Sequence, residues 1–230
     1  MGRLRIKRIG VMGGTFDPIH NGHLVTAEEA WKQFNLDQVL FVPSGSPPHK
    51  EDRKSLDPES RYLMAVIATA ANPHFKVSRM EIDRPGPSYT IDTVHELHRV
   101  YGRNTEVFFI TGADAILEIL TWKEPEKVLR EAIFIAATRP GYDLRRLEES
   151  LPESEKKRHA TDPRVLVMEI PALAISSTDI RKRVKEGRAI TYRVPESVAK
   201  FIEKSGFYIC LLYTSPSARD RTRPRMPASA

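Results

Sequence analysis

Cysteine is nearly absent. Cys210 is the only one among 230 residues, so the chain holds no internal disulfide and no Cys-x-x-Cys metal site. Long apolar runs are missing as well. No stretch reaches the roughly 18 residues that a membrane-spanning helix needs, and Met1-Gly2-Arg3-Leu4-Arg5-Ile6-Lys7-Arg8 lacks the apolar core of a signal peptide. These absences point to a cytoplasmic protein with no membrane partner. What is present, 40% hydrophobic and 29% charged residues, suffices for one full α/β core.

The formal net charge of +6 would suit a nucleic-acid partner if it were spread over the fold. It is not. Residues 214–230 carry four arginines and one aspartate, and without them the net charge falls to +3. That segment has no Leu, Ile, Val or aromatic residue and cannot bury enough to order itself. The change of character after Phe207-Tyr208 looks like a translated linker or cloning scar, with a native basic tail as the alternative. The expected organisation is therefore one domain over 1–208 and a disordered, non-native tail over 209–230, with no nucleic-acid partner. Self-association is left open.

Along the rest of the chain apolar strands alternate with helical segments. Ile9, Val11 and Met12 end a first strand, and Leu24 to Phe34 has helical spacing. Gln38–Val42 reads as a second strand. Pro58 to Ala71 reads as a helix, with Asp57 as N-cap and Pro58 at its first position. Phe75–Ile82 is a third strand, followed by a helix over Thr90–Tyr101 that Gly102 closes. Glu106–Thr111, Ile133–Ala137 and Val165–Ile170 are three further strands. The polar stretch from Asp143 to Pro163 reads as a solvated helical insertion. This alternation predicts a single α/β domain, a Rossmann-like doubly wound parallel sheet with helices on both faces. Ligands in such sheets sit beyond the carboxyl ends of the strands, near the point where strand order reverses.

The run Gly13-Gly14-Thr15-Phe16-Asp17-Pro18-Ile19-His20-Asn21-Gly22-His23 stands at the first such end. A glycine turn lets backbone N–H groups approach a polyphosphate closely. The helix after it adds unsatisfied amides and the positive end of its dipole. His20 and His23, three apart, can aim both imidazoles at one spot. The same pair could instead be capping or packing residues. Zinc would need a third and fourth ligand, and none stands out nearby.

A second motif lies about 150 residues downstream, Ile175-Ser176-Ser177-Thr178-Asp179-Ile180-Arg181. Ser176 or Ser177 suits the N-cap of a helix over Thr178–Glu186, Asp179 completes a capping-box pattern with Ser176, and Gly187 suits the stop. Arg181 then lies within about the first turn, able to give charge-assisted hydrogen bonds to phosphate oxygens.

The pattern Gly14-x-Phe16-x-Pro18-x-His20-x-Gly22-His23, paired with the second motif, resembles the two signatures of the nucleotidylyltransferase superfamily, whose H-x-G-H turn is related to that of class I aminoacyl-tRNA synthetases. Further segments are similar to bacterial nicotinate-mononucleotide adenylyltransferases: the turn-rich Ser44-Gly45-Ser46-Pro47-Pro48-His49-Lys50, then Gly86-Pro87-Ser88-Tyr89-Thr90, Thr111-Gly112-Ala113-Asp114 with Trp122 beyond it, and Arg139-Pro140-Gly141. The resemblance covers nearly all of the chain except the tail.

It implies the following roles. Gly13, Gly14, Thr15, Phe16, His20, His23 and Arg181 would hold ATP around its phosphates, with Ile175, Ser176 and Ser177 at the second helix start and Arg139 after the fifth strand. His20, His23 and Arg181 would be the catalytic groups. Asp114 would bind ribose hydroxyls, with Gly112 allowing close approach. Lys50, Ser88, Tyr89, Thr90 and Trp122 would hold the mononucleotide, with amides of 88–90 on the nicotinate carboxylate and Trp122 stacked on the pyridine ring. At Lys123 the chain departs from the family, where an aromatic residue often follows the tryptophan. The implied substrates are ATP and nicotinate mononucleotide, Mg2+ arrives with ATP, and no metal site belongs to the protein itself. Nicotinamide mononucleotide and phosphopantetheine are the nearest alternative acceptors. A non-catalytic nucleotide- or RNA-binding module is the alternative of a different class.

Overall fold

Strand β1 (Arg8–Gly14) lies in the middle of a six-stranded, wholly parallel sheet in the order β3-β2-β1-β4-β5-β6. The molecule is a computed structural model that describes residues 7–46, 55–138, 163–171 and 174–209. The other strands are β2 (Gln38–Pro43), β3 (Phe75–Val77), β4 (Glu106–Gly112), β5 (Ile133–Thr138) and β6 (Val165–Glu169). Seven α-helices are described: α1 (Asn21–Gln33), α2 (Pro58–Thr69), α3 (Thr90–Tyr101), α4 (Ala113–Leu117), α5 (Pro125–Glu131), α6 (Ser177–Lys185) and α7 (Glu196–Ser205). The doubly wound single domain expected from the alternation is the observed fold.

The strands are apolar almost throughout because helices cover both faces. Successive residues of a strand feed opposite layers. Ile9 and Val11 of β1, with Leu40, Val42, Val107 and Phe109, pack under α3, α4 and α5 through Ile91, Val94, Leu97, Ile116 and Leu129. Met12, with Phe41, Phe108, Ile110 and Ile135, packs on the other face against Ala27 and Ala30 of α1, Met64 and Ala65 of α2, Ile180 of α6 and Val198 of α7. Each large side chain so buried contributes about 1.5–3 kcal/mol.

Strand β1 pairs with β2 on one side and β4 on the other, with Val11 opposite both Leu40 and Phe109. The order of strands reverses between β1 and β4. A crevice therefore opens beyond their carboxyl ends, where Gly14 and Gly112 stand.

Three boundaries differ from expectation. Strand β3 stops at Val77 rather than running to Ile82, because the Ser78 hydroxyl accepts the Met80 N–H at 3.2 Å and turns the chain. Helix α2 ends at Thr69, whose hydroxyl donates to the Ala65 carbonyl at 2.9 Å. Helix α1 begins at Asn21, three residues before Leu24, for a reason that belongs to the site. The insertion over Asp143 to Pro163, save Pro163 itself, and the segment 214–230 lie outside the described residues.

Candidate active site

The first motif is the junction of β1 and α1. His20 is the extended N-cap residue (φ −147, ψ 168), so His23 sits inside the first turn of the helix. The His20 N–H donates to His23 Nδ1 at 3.1 Å. The two rings stack 3.6 Å apart and 17° from parallel. A Cβ at Gly22 would come 3.0 Å from His20 Nδ1, so glycine gives the His20 ring room to fold over the helix start. The edge of the Phe16 ring meets His23 at 5.1 Å, and Phe16 holds a left-handed backbone (φ 50) to reach it. A Cβ at Gly14 would press on Phe16 at 3.2 Å, and one at Gly13 on Phe109 at 3.0 Å. These two glycines thus admit aromatic rings from within the fold, besides leaving the backbone bare.

Burial pulls the pKa of His20 down to about 4. It pulls that of His23 well below the usual imidazole value, and the neighbouring His20 adds to the effect. Both rings are therefore neutral at pH 7. Because His23 Nδ1 accepts a hydrogen bond, its proton resides on Nε2. Such a pair can donate hydrogen bonds only as neutral rings, so cationic charge at this site has to come from elsewhere.

The second motif supplies it. Ser176 is the N-cap of α6, its hydroxyl accepting from the Asp179 N–H at 3.1 Å. Only half of the expected capping box forms, since the Asp179 carboxylate pairs instead with Arg183 at 2.7 Å and Arg193 at 3.6 Å. Gly187 ends the helix with φ 66. The Ser177 hydroxyl donates to the Pro18 carbonyl at 2.9 Å, and Arg181 Nη1 donates to the Asp17 carbonyl at 2.6 Å. Arg181 Nη2 also reaches the Thr178 hydroxyl at 3.2 Å. The two motifs, more than 150 residues apart in sequence, are thereby fastened into one surface. The serine hydroxyls serve this fastening and the cap, and the cap takes the Asp179 N–H, so the Ser177 and Thr178 amides of the first turn are what remain for an anion. Ile175 is half-buried against the core, its carbonyl 3.9 Å from where a Gly22 side chain would begin.

Sequence reasoning missed the groups behind this surface. Arg61 of α2 is 1% exposed, and its guanidinium donates to the carbonyls of Thr15 at 2.7 Å, Leu56 at 3.0 Å and Gly45 at 3.3 Å. It ties the turn after β1 to the turn after β2. Its position three and four residues before the buried Met64 and Ala65, on the apolar stripe of α2, is the signal that could have found it. Asp17 is 6% exposed and receives the Tyr208 hydroxyl at 2.8 Å.

On the other side of the crevice Gly112 caps α4 and Asp114 stands exposed in its first turn. A side chain at Gly112 would meet open space. At the start of α3 the Ser88 N–H is taken by the Ser46 carbonyl at 2.9 Å, and its hydroxyl accepts from Ser46 N–H at 3.4 Å. Ser88 therefore ties down the turn after β2, and its amide is not among the free donors. The Tyr89 and Thr90 amides have no partner among the described residues. Trp122 is half-buried with its ring edge-on to Phe134 at 5.9 Å. Lys123 Nζ lies 4.6 Å over the Tyr89 ring and 3.2 Å from the Asp92 carboxylate, which joins the Trp122 segment to the start of α3. Lys50 and Arg139 lie outside the described residues.

Among the described residues no group of three or more His, Cys, Asp or Glu could cage a metal ion. No described helix is long and apolar enough to cross a membrane.

The cytidylyltransferase-like family model matches residues 11–183, from β1 through most of α6. The protein of Moorella thermoacetica named "Probable nicotinate-nucleotide adenylyltransferase" is 59% identical over 202 residues, 87% of this chain and 91% of its own. That of Thermoanaerobacter sp., of the same name, is 54% identical over 201 residues, 87% of this chain and 94% of its own. Among solved structures, the Plasmodium falciparum nicotinic acid mononucleotide adenylyltransferase complexed with NaAD superposes with a TM-score of 0.69 at 21% identity, covering 88% of this chain and 97% of that one. That likeness bears on the fold, while the relatives above 50% identity bear on kinship. The chain belongs to the nicotinate-nucleotide adenylyltransferase family.

Proposed function

We propose that the protein transfers the adenylyl group of ATP to nicotinate mononucleotide, releasing pyrophosphate and forming nicotinate adenine dinucleotide, a step of NAD biosynthesis in the cytoplasm. The observation that carries this reading is the fastening of Ser177 and Arg181 onto Pro18 and Asp17. It gathers two helix starts, two neutral imidazoles and one guanidinium around a single crevice. Such a surface binds a polyphosphate, and family membership names the chemistry.

The acceptor phosphate is already an anion, so attack on the α-phosphorus needs no general base. The barrier is mutual repulsion and orientation, which the protein lowers by holding the two substrates in line and by donating to the oxygens that gain charge. His20 and His23 serve the α-phosphate as donors, and being neutral they do so at any pH near 7. Arg181 and the α6 amides balance the departing pyrophosphate. Asp114 takes the adenylate ribose. The Tyr89 and Thr90 amides, unpartnered among the described residues, take the nicotinate carboxylate, with Trp122 against the ring. Mg2+ enters as MgATP, a substrate; Asp17, the carboxylate beside the turn, already receives the Tyr208 hydroxyl.

Pyrophosphate release measured with ATP and a panel of phosphorylated acceptors tests this. Turnover with nicotinate mononucleotide supports it, and turnover with none of the mononucleotides refutes it.

A further inference from the structure

Asp17 sets a problem that its surroundings answer. A buried carboxylate beside a polyphosphate site repels the ligand and attracts the very cation that should face it. Arg181 is that cation, and an unrestrained Arg–carboxylate pair closes to about 2.7–2.9 Å, commonly through two parallel bonds. Here Arg181 Nη1 stays 3.8 Å from Asp17 Oδ2 and bonds the Asp17 backbone carbonyl at 2.6 Å instead.

The other carboxylate oxygen explains the gap. Asp17 Oδ1 accepts the Tyr208 hydroxyl at 2.8 Å and faces the Leu56 N–H at 3.5 Å. Both hold the carboxylate through Oδ1, which leaves Oδ2 short of a close pair with Arg181. Arg61, the second cation nearby, is committed to three carbonyls and does not compete for Oδ2. Tyr208 reaches Asp17 from across the fold. Helix α7 ends at Gly206 (φ 64), where the Gly206 N–H bonds the Glu203 carbonyl at 3.1 Å and the Phe207 N–H bonds the Ile202 carbonyl at 3.1 Å. Tyr208 then takes a left-handed backbone of its own (φ 64), which a bulky residue adopts only under constraint. Burial and the adjacent Asp17 carboxylate push the Tyr208 hydroxyl to a higher pKa than usual, so it remains a donor throughout the working pH range.

We propose that Tyr208 is a positioning residue for the phosphate site: its hydroxyl locks the Asp17 carboxylate so that Arg181 stays directed at the triphosphate instead of collapsing onto Asp17. The proposal rests on the reading of Arg181 as a phosphate-binding cation. It makes the segment just after α7 a working part of the first motif, 191 residues away in sequence.

The test is a double-mutant cycle on the full chain with Tyr208→Phe, Arg181→Ala and the two combined. Tyr208→Phe keeps the ring and removes only the hydroxyl. It is expected to lower kcat about tenfold and raise KM for ATP, while KM for the mononucleotide stays within about twofold. In the Arg181→Ala background the same change is expected to cost less than about twofold, because the cation to be held has gone. Wild-type kcat and ATP KM in Tyr208→Phe would overturn the proposal. So would an equal loss in both backgrounds, or loss of the fold in Tyr208→Phe, since either makes the hydroxyl a structural element that acts independently of Arg181. Near-normal activity of Arg181→Ala alone would instead remove the reading of Arg181 on which the proposal stands.

Discussion

His20 and His23 lie ring upon ring, 3.6 Å between centroids, with the backbone N–H of the first donated to Nδ1 of the second. Each fixes the other. The stack sets the plane of both imidazoles and the hydrogen bond sets the tautomer of His23, so the pair is one unit at the helix start.

If that unit serves the α-phosphate in the transition state, His20→Ala or His23→Ala lowers kcat by about 100-fold or more with a smaller effect on KM for ATP. The double variant is expected to fall little below the worse single variant, because removing one ring already releases the other. Steady-state kinetics on the three proteins check this. Near-normal turnover in either single variant contradicts it.

The pKa of His20 falls from an ordinary 6.5 to about 4 on folding, through burial. Between those values the unfolded chain binds the proton first, so stability is full above about pH 6.5 and declines as pH drops toward 4. The shift corresponds to about 3 kcal/mol, and His23 contributes in the same direction. Urea unfolding of the wild type and of His20→Asn at pH 7 and pH 4.5 measures the difference. The wild type is expected to lose more stability than the variant, and equal losses contradict the burial argument.

Arg61 holds three backbone carbonyls of the turns that follow β1 and β2. Burial lowers its pKa, and Asp17 and Asp57 oppose that shift. Arg61→Met keeps the volume but leaves the carbonyls unpaired, and is expected to cost about 3–5 kcal/mol in chemical denaturation. A cost under about 1 kcal/mol would show that water replaces the guanidinium readily.

The sheet was legible because β1, β2, β4 and β5 are buried on both faces and read as unbroken apolar runs, such as Val107 to Ile110. The glycine-bounded α3 was legible too. The end of β3 was not, since the hydroxyl that turns the chain at Ser78 looks like any polar strand residue. Both motifs stood out as local patterns. The contacts joining them did not, because Arg181 to Asp17 and Tyr208 to Asp17 connect residues 164 and 191 positions apart and depend on how α6 and α7 pack on β1. The family resemblance also implied Ser88 for the acceptor site, whereas its amide and hydroxyl both meet Ser46.

Trp122 packs on Phe134 along one edge only and is half-buried. A lost ring stack is worth about 1 kcal/mol or somewhat more, so Trp122→Ala is expected to raise KM for the mononucleotide several-fold with ATP nearly untouched. Kinetics beside a thermal melt decide the matter. Unfolding of the variant would make Trp122 a packing residue only.

The start of α3 bears most directly on which acceptor the protein uses. The Tyr89 and Thr90 amides are unpartnered among the described residues, and Lys123 stands 4.6 Å over the Tyr89 ring. Lys123 also pairs with Asp92 at 3.2 Å, which offsets the one acidic group in the first turn of that helix. Donors and dipole both favour a carboxylate, whereas an amide turns its own N–H groups toward them and leaves a donor unpaired. The decisive measurement is kcat/KM for pyrophosphate release with ATP and either nicotinate or nicotinamide mononucleotide. The nicotinate value is expected to be higher by at least about 100-fold, equivalent to roughly 2.7 kcal/mol. Comparable values for the two acceptors would contradict an acid-specific site.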